Sequence, residues 1–188
     1  MLARGLFLKL WHVLDPVYCS FTRLQFVPAS KKDVVLRVRL TRYKGMGTVL
    51  ADGTAIRKND LMVKIHLHNI KLLRECLHIK SELARGRAIF RKVKESMPHL
   101  TAFIDNHPDG AKIKGIIGIT LINKGFLPLG FECILPESKL YTWYKKMTHI
   151  PIHLLSCSVF SIEKLKKHHT VYLMMSKQKL FDLYKSPD

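Results

Sequence analysis

Acidic residues are scarce in this 188-residue sequence: 14 Asp and Glu stand against 32 Lys and Arg, for a formal net charge of +18. A protein with this balance attracts polyanions, such as nucleic acid, anionic lipid or an acidic polymer. The basic residues are spread along the chain, without a basic tail, a helix-turn-helix pattern or a ladder of aromatic residues. Nucleic acid therefore stays an alternative partner that is supported by charge alone.

Cysteine is rare and widely spaced. Cys19, Cys76, Cys133 and Cys157 are the four cysteines, and no two form a Cys-x-x-Cys arrangement. This spacing argues against the zinc-knuckle classes. Because a chain of this size seldom depends on disulfides, we expect four reduced thiols in a cytoplasmic protein.

Long apolar runs are missing as well, and no small-residue cleavage site follows the N-terminal segment. Residues 1–27 instead predict an amphipathic helix, because apolar residues recur at i, i+4 and i+8. Such a helix commonly packs on its own domain, and the alternative is peripheral contact with the inner membrane face, favoured by the charge of +18. The residues predicted to make that contact are Leu6, Phe7, Leu10 and Trp11.

Residues 28–188 predict one α+β domain, in which a small antiparallel sheet packs with several helices. The segments VVLRVRLTRY (34–43) and LMVKIHLH (61–68) alternate apolar and polar residues, as half-buried strands do. Asp52-Gly53 is a tight-turn signal between them. Asn69 fits the N-cap of a long helix over about 70–96, and residues 114–122 fit either a strand or a helix. Further strands are expected at 131–135 and 171–175, with a last helix after Ser176.

The segment LMVKIHLHN (61–69) places His66 and His68 on the same face of a strand, which suits a shared metal ion. A third ligand is then needed, and the choices are Asp60, His149, His153 or the His168-His169 pair. Acidic residues for supporting such ligands are few. The sequence therefore predicts no metal, or else one held by His66 and His68. No Gly-x-Ser-x-Gly, Walker or dinucleotide-binding motif is present, so we expect no cofactor, and an enzyme that uses the two histidines is an alternative.

A binding face for an anion fits the pattern better. If the two alternating strands pair, the side chains opposite their apolar face are cationic, and we call this set the cationic face: Arg37, Arg39, Lys64, His66 and His68. Asn69 follows it directly, and the helix row that contains Arg87 and Arg91 adds further charge. Guanidinium and ammonium groups of this kind hold phosphate or carboxylate. The alternative is an outer sheet face that is simply solvated.

The segment DGTAIRKNDLMVKIHLHN, the basic helix after it, and the later segments KGIIGITLINKGFLPLGFE and VYLMMSKQKLFDLY together resemble the bacterial YkoP-like domain over most of the chain. Related domains occur beside or fused to polysaccharide deacetylases, which implies an envelope-polymer context by association. The chain lacks the paired Asp and spaced His residues of a deacetylase, so that activity is not transferred. We expect an accessory or binding module that engages anionic lipid or an envelope-polymer precursor. The residues that match the pattern are Asp60, His66, His68, Asn69, Thr120, Leu129, Gly130, Phe131 and Ser176.

Overall fold

The computed structural model describes residues 24–27, 34–76, 78–120, 125–135 and 171–185. These residues contain both helices and strands, which confirms the predicted α+β class. The helices are α1 (Asn69–Cys76), α2 (Glu82–Asp105) and α3 (Lys177–Tyr184). The strands are β1 (Gln25–Phe26), β2 (Leu36–Arg42), β3 (Thr48–Val49), β4 (Ala55–Ile56), β5 (Leu61–Leu67), β6 (Ile113–Thr120), β7 (Glu132–Ile134) and β8 (Val171–Ser176).

Six of the described strands form one sheet, in the order β1-β2-β5-β6-β8-β7. The predicted strands at 34–43 and 61–68 are confirmed as the neighbours β2 and β5, which pair antiparallel. The structure differs from the predicted sheet at one pair, because β5 and β6 run parallel. A parallel pair needs a long crossover, and here α1 and α2 supply it. The ambiguous segment at 114–122 is the strand β6, in keeping with its β-branched residues.

The main core lies between one side of the sheet, the helix side, and helices α2 and α3. Val93, Met97, Leu100 and Ile104 recur on α2 at helical spacing and are buried in this core. The inward positions of the strands supply the rest by alternation. The strand residues buried on the helix side are Leu36, Val38, Val63, Ile113, Ile116, Leu173 and Met175.

The single helix predicted for 70–96 is two helices in the structure. Ser81 caps α2 by accepting a hydrogen bond from the Ala84 amide at 3.3 Å, and the guanidinium of Arg85 donates to the Ile79 carbonyl at 2.9 Å. These local bonds favour a break before α2 over continuous helix. Helix α2 then runs through Pro98 to Asp105, beyond the end predicted at about residue 96.

The opposite side of the sheet, the hairpin side, is partly covered by β3 and β4. The predicted turn at Asp52-Gly53 joins these strands, and Gly53 has a φ of +81°, which glycine adopts without strain. A second apolar cluster lies beneath the hairpin: Tyr43, Leu50, Ile56, Met62, Ile117 and Met174.

The last two described elements agree with their predictions. Strand β8 covers Val171–Ser176, and Ser176 caps α3 by accepting a hydrogen bond from the Lys179 amide at 2.9 Å. Residues 1–23 lie outside the described residues, so the predicted N-terminal helix stays a prediction. The boundary predicted at residue 27 falls just after β1.

Candidate functional site

The pairing of β2 with β5 brings the cationic residues of these two strands together. Arg37 lies opposite His66, and Arg39 lies opposite Lys64. Directly opposed residues of neighbouring strands have side chains about 5 Å apart at Cβ and on the same side of the sheet. Four basic side chains therefore occupy adjoining positions on the hairpin side, and neither strand contains an acidic residue.

Burial distinguishes this face from a solvated surface. Arg37 is 6% exposed and Lys64 is 8% exposed, whereas Arg39, His66 and His68 are half-buried. All five side chains make contacts within the folded chain. The alternative of a simply solvated outer face is therefore wrong for Arg37 and Lys64. Because charge is costly to remove from water, their burial indicates a specific electrostatic arrangement.

An aromatic ring lies at the β1 end of the cationic face. Strand β1 pairs Phe26 with Arg37, and the Arg37 guanidinium lies 4.8 Å from the centre of the Phe26 ring. The ring also meets His68 edge-on, with the ring centres 5.7 Å apart. Phe26 nevertheless stays 60% exposed. Sequence reasoning missed this residue, because a strand of two residues has no periodicity to detect.

The structure does not bring Arg87 and Arg91 to the cationic face. Both are exposed on α2, and α2 packs on the helix side of the sheet. Arg91 lies 3.9 Å from Glu95 one turn along, with most of its side chain in solvent. Asn69 begins α1 directly after His68 and so follows the end of β5.

No group of three or more His, Cys, Asp or Glu side chains that could hold a metal ion occurs within the described ranges. Asp60 precedes β5, whereas His66 lies near the far end of that strand and His68 follows it. Six residues of extended chain span about 20 Å, so Asp60 is too far away to share a metal with His66. The other third ligands considered, His149, His153, His168 and His169, lie outside the described residues.

The described cysteines do not favour thiol chemistry. Cys76 and Cys133 are free thiols, and burial raises the pKa of both. A raised pKa leaves less thiolate, which is the nucleophilic form. Cys19 and Cys157 lie outside the described residues.

The residues predicted to contact a membrane, Leu6, Phe7, Leu10 and Trp11, also lie outside the described residues. Among the helices that the structure describes, none is long and apolar enough to cross a bilayer.

A second polar cluster joins the hairpin to α3. The Ser176 hydroxyl donates to the Asp52 carboxylate, the Ala51 amide donates to Glu132 at 2.9 Å, and Lys179 lies 3.5 Å from Glu132. Burial raises the pKa of Asp52, but the hydrogen bonds from Ser176 and Thr54 and the charge of Lys179 outweigh it, so the net pKa is lowered. Ser176 is 1% exposed, and its hydroxyl links the hairpin to the start of α3.

Comparison with known proteins finds a family model and a relative that match this chain. The family model described as the YkoP domain matches residues 4–184. The chain is 48% identical over 182 residues to a Bacillus subtilis (strain 168) protein named "Uncharacterized protein YkoP", an alignment that covers 97% of this chain and 98% of the relative. No solved structure matches.

Proposed function

This chain belongs to the YkoP domain family, and we propose that it acts as a binding module that engages a phosphate-bearing anionic ligand at the inner membrane face. The ligand class includes anionic lipid and phosphorylated precursors of envelope polymers. The observation that carries the proposal is the set of directly opposed basic pairs, Arg37 with His66 and Arg39 with Lys64.

The opposed pairs supply the chemistry that a phosphate group requires. Guanidinium groups present several N–H donors in a fixed plane, and an ammonium adds a compact positive charge. Hydrogen bonds between such donors and phosphate are roughly twice as strong as neutral ones. Strands hold these groups in place, so little side-chain freedom is lost when an anion binds.

Differences in burial suggest how the groups divide the task. Arg37 and Lys64, at 6% and 8% exposed, set a positive potential beneath the surface. The half-buried Arg39, His66 and His68 then contact the anion directly. A positive potential at a site of reduced dielectric attracts an anion more strongly than the same charges in open water.

The experiment measures binding of inorganic pyrophosphate by titration calorimetry, and co-sedimentation with phosphatidylcholine vesicles that contain increasing phosphatidylglycerol, at physiological salt. The test variant is Arg39→Gln. The matched control is Arg87→Gln, which removes the same charge from the helix side. We expect wild type and Arg87→Gln to bind alike, and Arg39→Gln to bind about tenfold more weakly, the loss of one charged hydrogen bond.

Each other result contradicts the proposal. Equal weakening in both variants would mean that binding follows net charge and not the cationic face. Absence of binding to pyrophosphate and vesicles would remove the anion-binding function. Preference for duplex or single-stranded nucleic acid at physiological salt, unaffected by Arg39→Gln, would move the function to a nucleic-acid surface elsewhere. Melting curves of both variants verify that each is folded.

A further inference from the structure

We infer that the ligand of the cationic face is an anionic amphiphile, with its phosphate on the basic residues and its hydrocarbon chain along the adjoining apolar strands of the hairpin side. This inference rests on the proposed anion-binding function and adds the second half of the ligand. Its basis is a change of side-chain chemistry across a single face of the sheet.

The change occurs between β5 and β6. Lys64 pairs with Ile117, and Ile117 pairs with Met174 of β8. Cationic side chains on β2 and β5 are therefore followed, at the same level of the sheet, by apolar side chains on β6 and β8. Ile117 and Met174 lie in the cluster beneath the β3–β4 hairpin, so the apolar part of this level is covered by the protein itself.

The next level along the strands is less enclosed. Two residues beyond Lys64 and Ile117 are His66 and Ile119, and Ile119 pairs with Tyr172. Tyr172 in turn pairs with Ile134 on the edge strand β7. Gly118, between the isoleucines, faces Ile65 on the helix side, which confirms that Ile119 faces the hairpin side with His66.

On this level Ile119, Tyr172 and Ile134 form a row across β6, β8 and β7, and His66 of β5 lies two residues beyond the last β5–β6 pair, Lys64 with Ile117. The side chains of Ile119, Tyr172 and Ile134 are half-buried, and Tyr172 and Ile134 pack against the edge of the hairpin cluster. Strands lie about 4.8 Å apart, so the distance from His66 to Ile134 across three strand spacings is about 14 Å. That length suits a medium acyl or isoprenyl chain laid across the strands.

A purely ionic ligand would use only the cationic half of this row. An amphiphile uses both halves, because its phosphate meets the cationic face while its chain removes apolar side chains from water. Each fully buried methylene strengthens binding severalfold. Charge complementarity sets the direction of the ligand, with the head toward β2 and the tail toward β7.

The test compares ethyl phosphate with octyl phosphate, each below its micelle concentration, by titration calorimetry on the full chain. We expect octyl phosphate to bind at least about tenfold more tightly, since two buried methylenes account for about one factor of ten. The test variant is Ile134→Ser on the edge strand. The matched control is Leu83→Ser on α2, where the leucine is 65% exposed and lies on a helix of the opposite side.

We expect octyl phosphate to bind more tightly than ethyl phosphate, by a ratio that Ile134→Ser reduces severalfold and Leu83→Ser leaves unchanged. Ethyl phosphate should bind wild type and both variants equally. Equal affinity for the two phosphates in wild type would overturn the amphiphile and leave the anion-binding function standing. Equal loss in both variants would show nonspecific apolar adsorption and would also overturn it. Failure of both phosphates to bind would remove the anion-binding function itself.

The chain of such a ligand can be acyl or isoprenyl. Binding of monomeric short-chain phosphatidic acid and of monomeric farnesyl phosphate distinguishes these two sources. Tighter binding of either one than of ethyl phosphate supports the inference, and the tighter of the two names the source. If both bind no better than ethyl phosphate, the apolar row does not hold a chain and the inference fails.

Discussion

Arg39 of β2 and Lys64 of β5 lie directly opposite each other, so two positive side chains share one cross-strand position. Like charges at such a position repel by up to about 1 kcal/mol. The sheet retains both residues, and Lys64 is 8% exposed. A cross-strand pair of like charge works against stability, and such pairs are typical of functional sites.

The repulsion predicts a dependence of stability on salt. Added salt screens the Arg39–Lys64 pair, so the melting temperature of wild type rises between low and moderate salt. Arg39→Met removes the pair and should reduce that rise by up to a few degrees. Differential scanning fluorimetry in sodium chloride measures the effect. Arg87→Met removes the same charge from α2 and should change the rise less. Equal changes in both variants would assign the effect to net charge.

The ring of Phe26 predicts a measurable contribution to stability despite its exposure. Phe26→Leu loses the contact with the Arg37 guanidinium and the edge contact with His68. We expect a loss of about 0.5–1 kcal/mol in the free energy of unfolding from denaturant titration. Phe26→Tyr keeps an aromatic ring and should stay close to wild type. If Phe26→Tyr destabilises the protein as much as Phe26→Leu, the contribution of Phe26 comes from the packing of its side chain and not from attraction between its ring and the Arg37 guanidinium.

The helix caps Ser81 and Ser176 differ in burial, and this difference gives a third prediction. Ser81 and Ser176 each accept an amide hydrogen bond at the start of a helix, but only Ser176 is buried and also bonded to Asp52. Ser81→Ala should lower the free energy of unfolding by about 1 kcal/mol, the usual value of a cap. Ser176→Ala should lower it by about 2–3 kcal/mol, since the Asp52 contact is lost too. Equal effects in denaturant titrations would mean that the Asp52 contact contributes nothing.

The lowered pKa of Asp52 predicts how stability responds to acid. A carboxyl whose folded pKa lies below the unfolded value of 3.8 contributes stability that is fully present above about that pH. This contribution is lost as pH falls through the folded pKa, because the unfolded chain takes up the proton more readily than the folded protein does. Asp52→Asn should therefore make the fall of stability with pH shallower below the unfolded value. Urea titrations across that range measure it, and Asp182→Asn, on the exposed side of α3, is the control.

Local patterns predicted the faces of the strands but not the register between them. Alternation alone placed Arg37 and Arg39 on one face of β2, because side chains of a strand point to opposite sides in turn. Which residue of β5 opposes each arginine depends on register. Spacing placed Arg87 and Arg91 on one stripe of a helix, but only packing decides on which side of the sheet that helix lies. The structure places it on the side away from the cationic face.

Long-range contacts account for what sequence reasoning missed. Asp52 and Ser176 are 124 residues apart, and a bond over such a separation leaves no periodic signal. The apolar row of Ile119, Tyr172 and Ile134 comes from three different strands. No single strand has a pattern that predicts this row, because the row forms only when the three strands lie side by side.

Strand order also determines when the sheet can form during synthesis. β8 is the last of the described strands in the chain, yet it lies between β6 and β7. Until residues 171–176 leave the ribosome, β6 presents an open edge and β7 lacks the neighbour that holds it. Pairings between distant segments form slowly, and open apolar edges invite aggregation. The nascent chain is therefore expected to expose the edge of β6 until residues 171–176 have been synthesised.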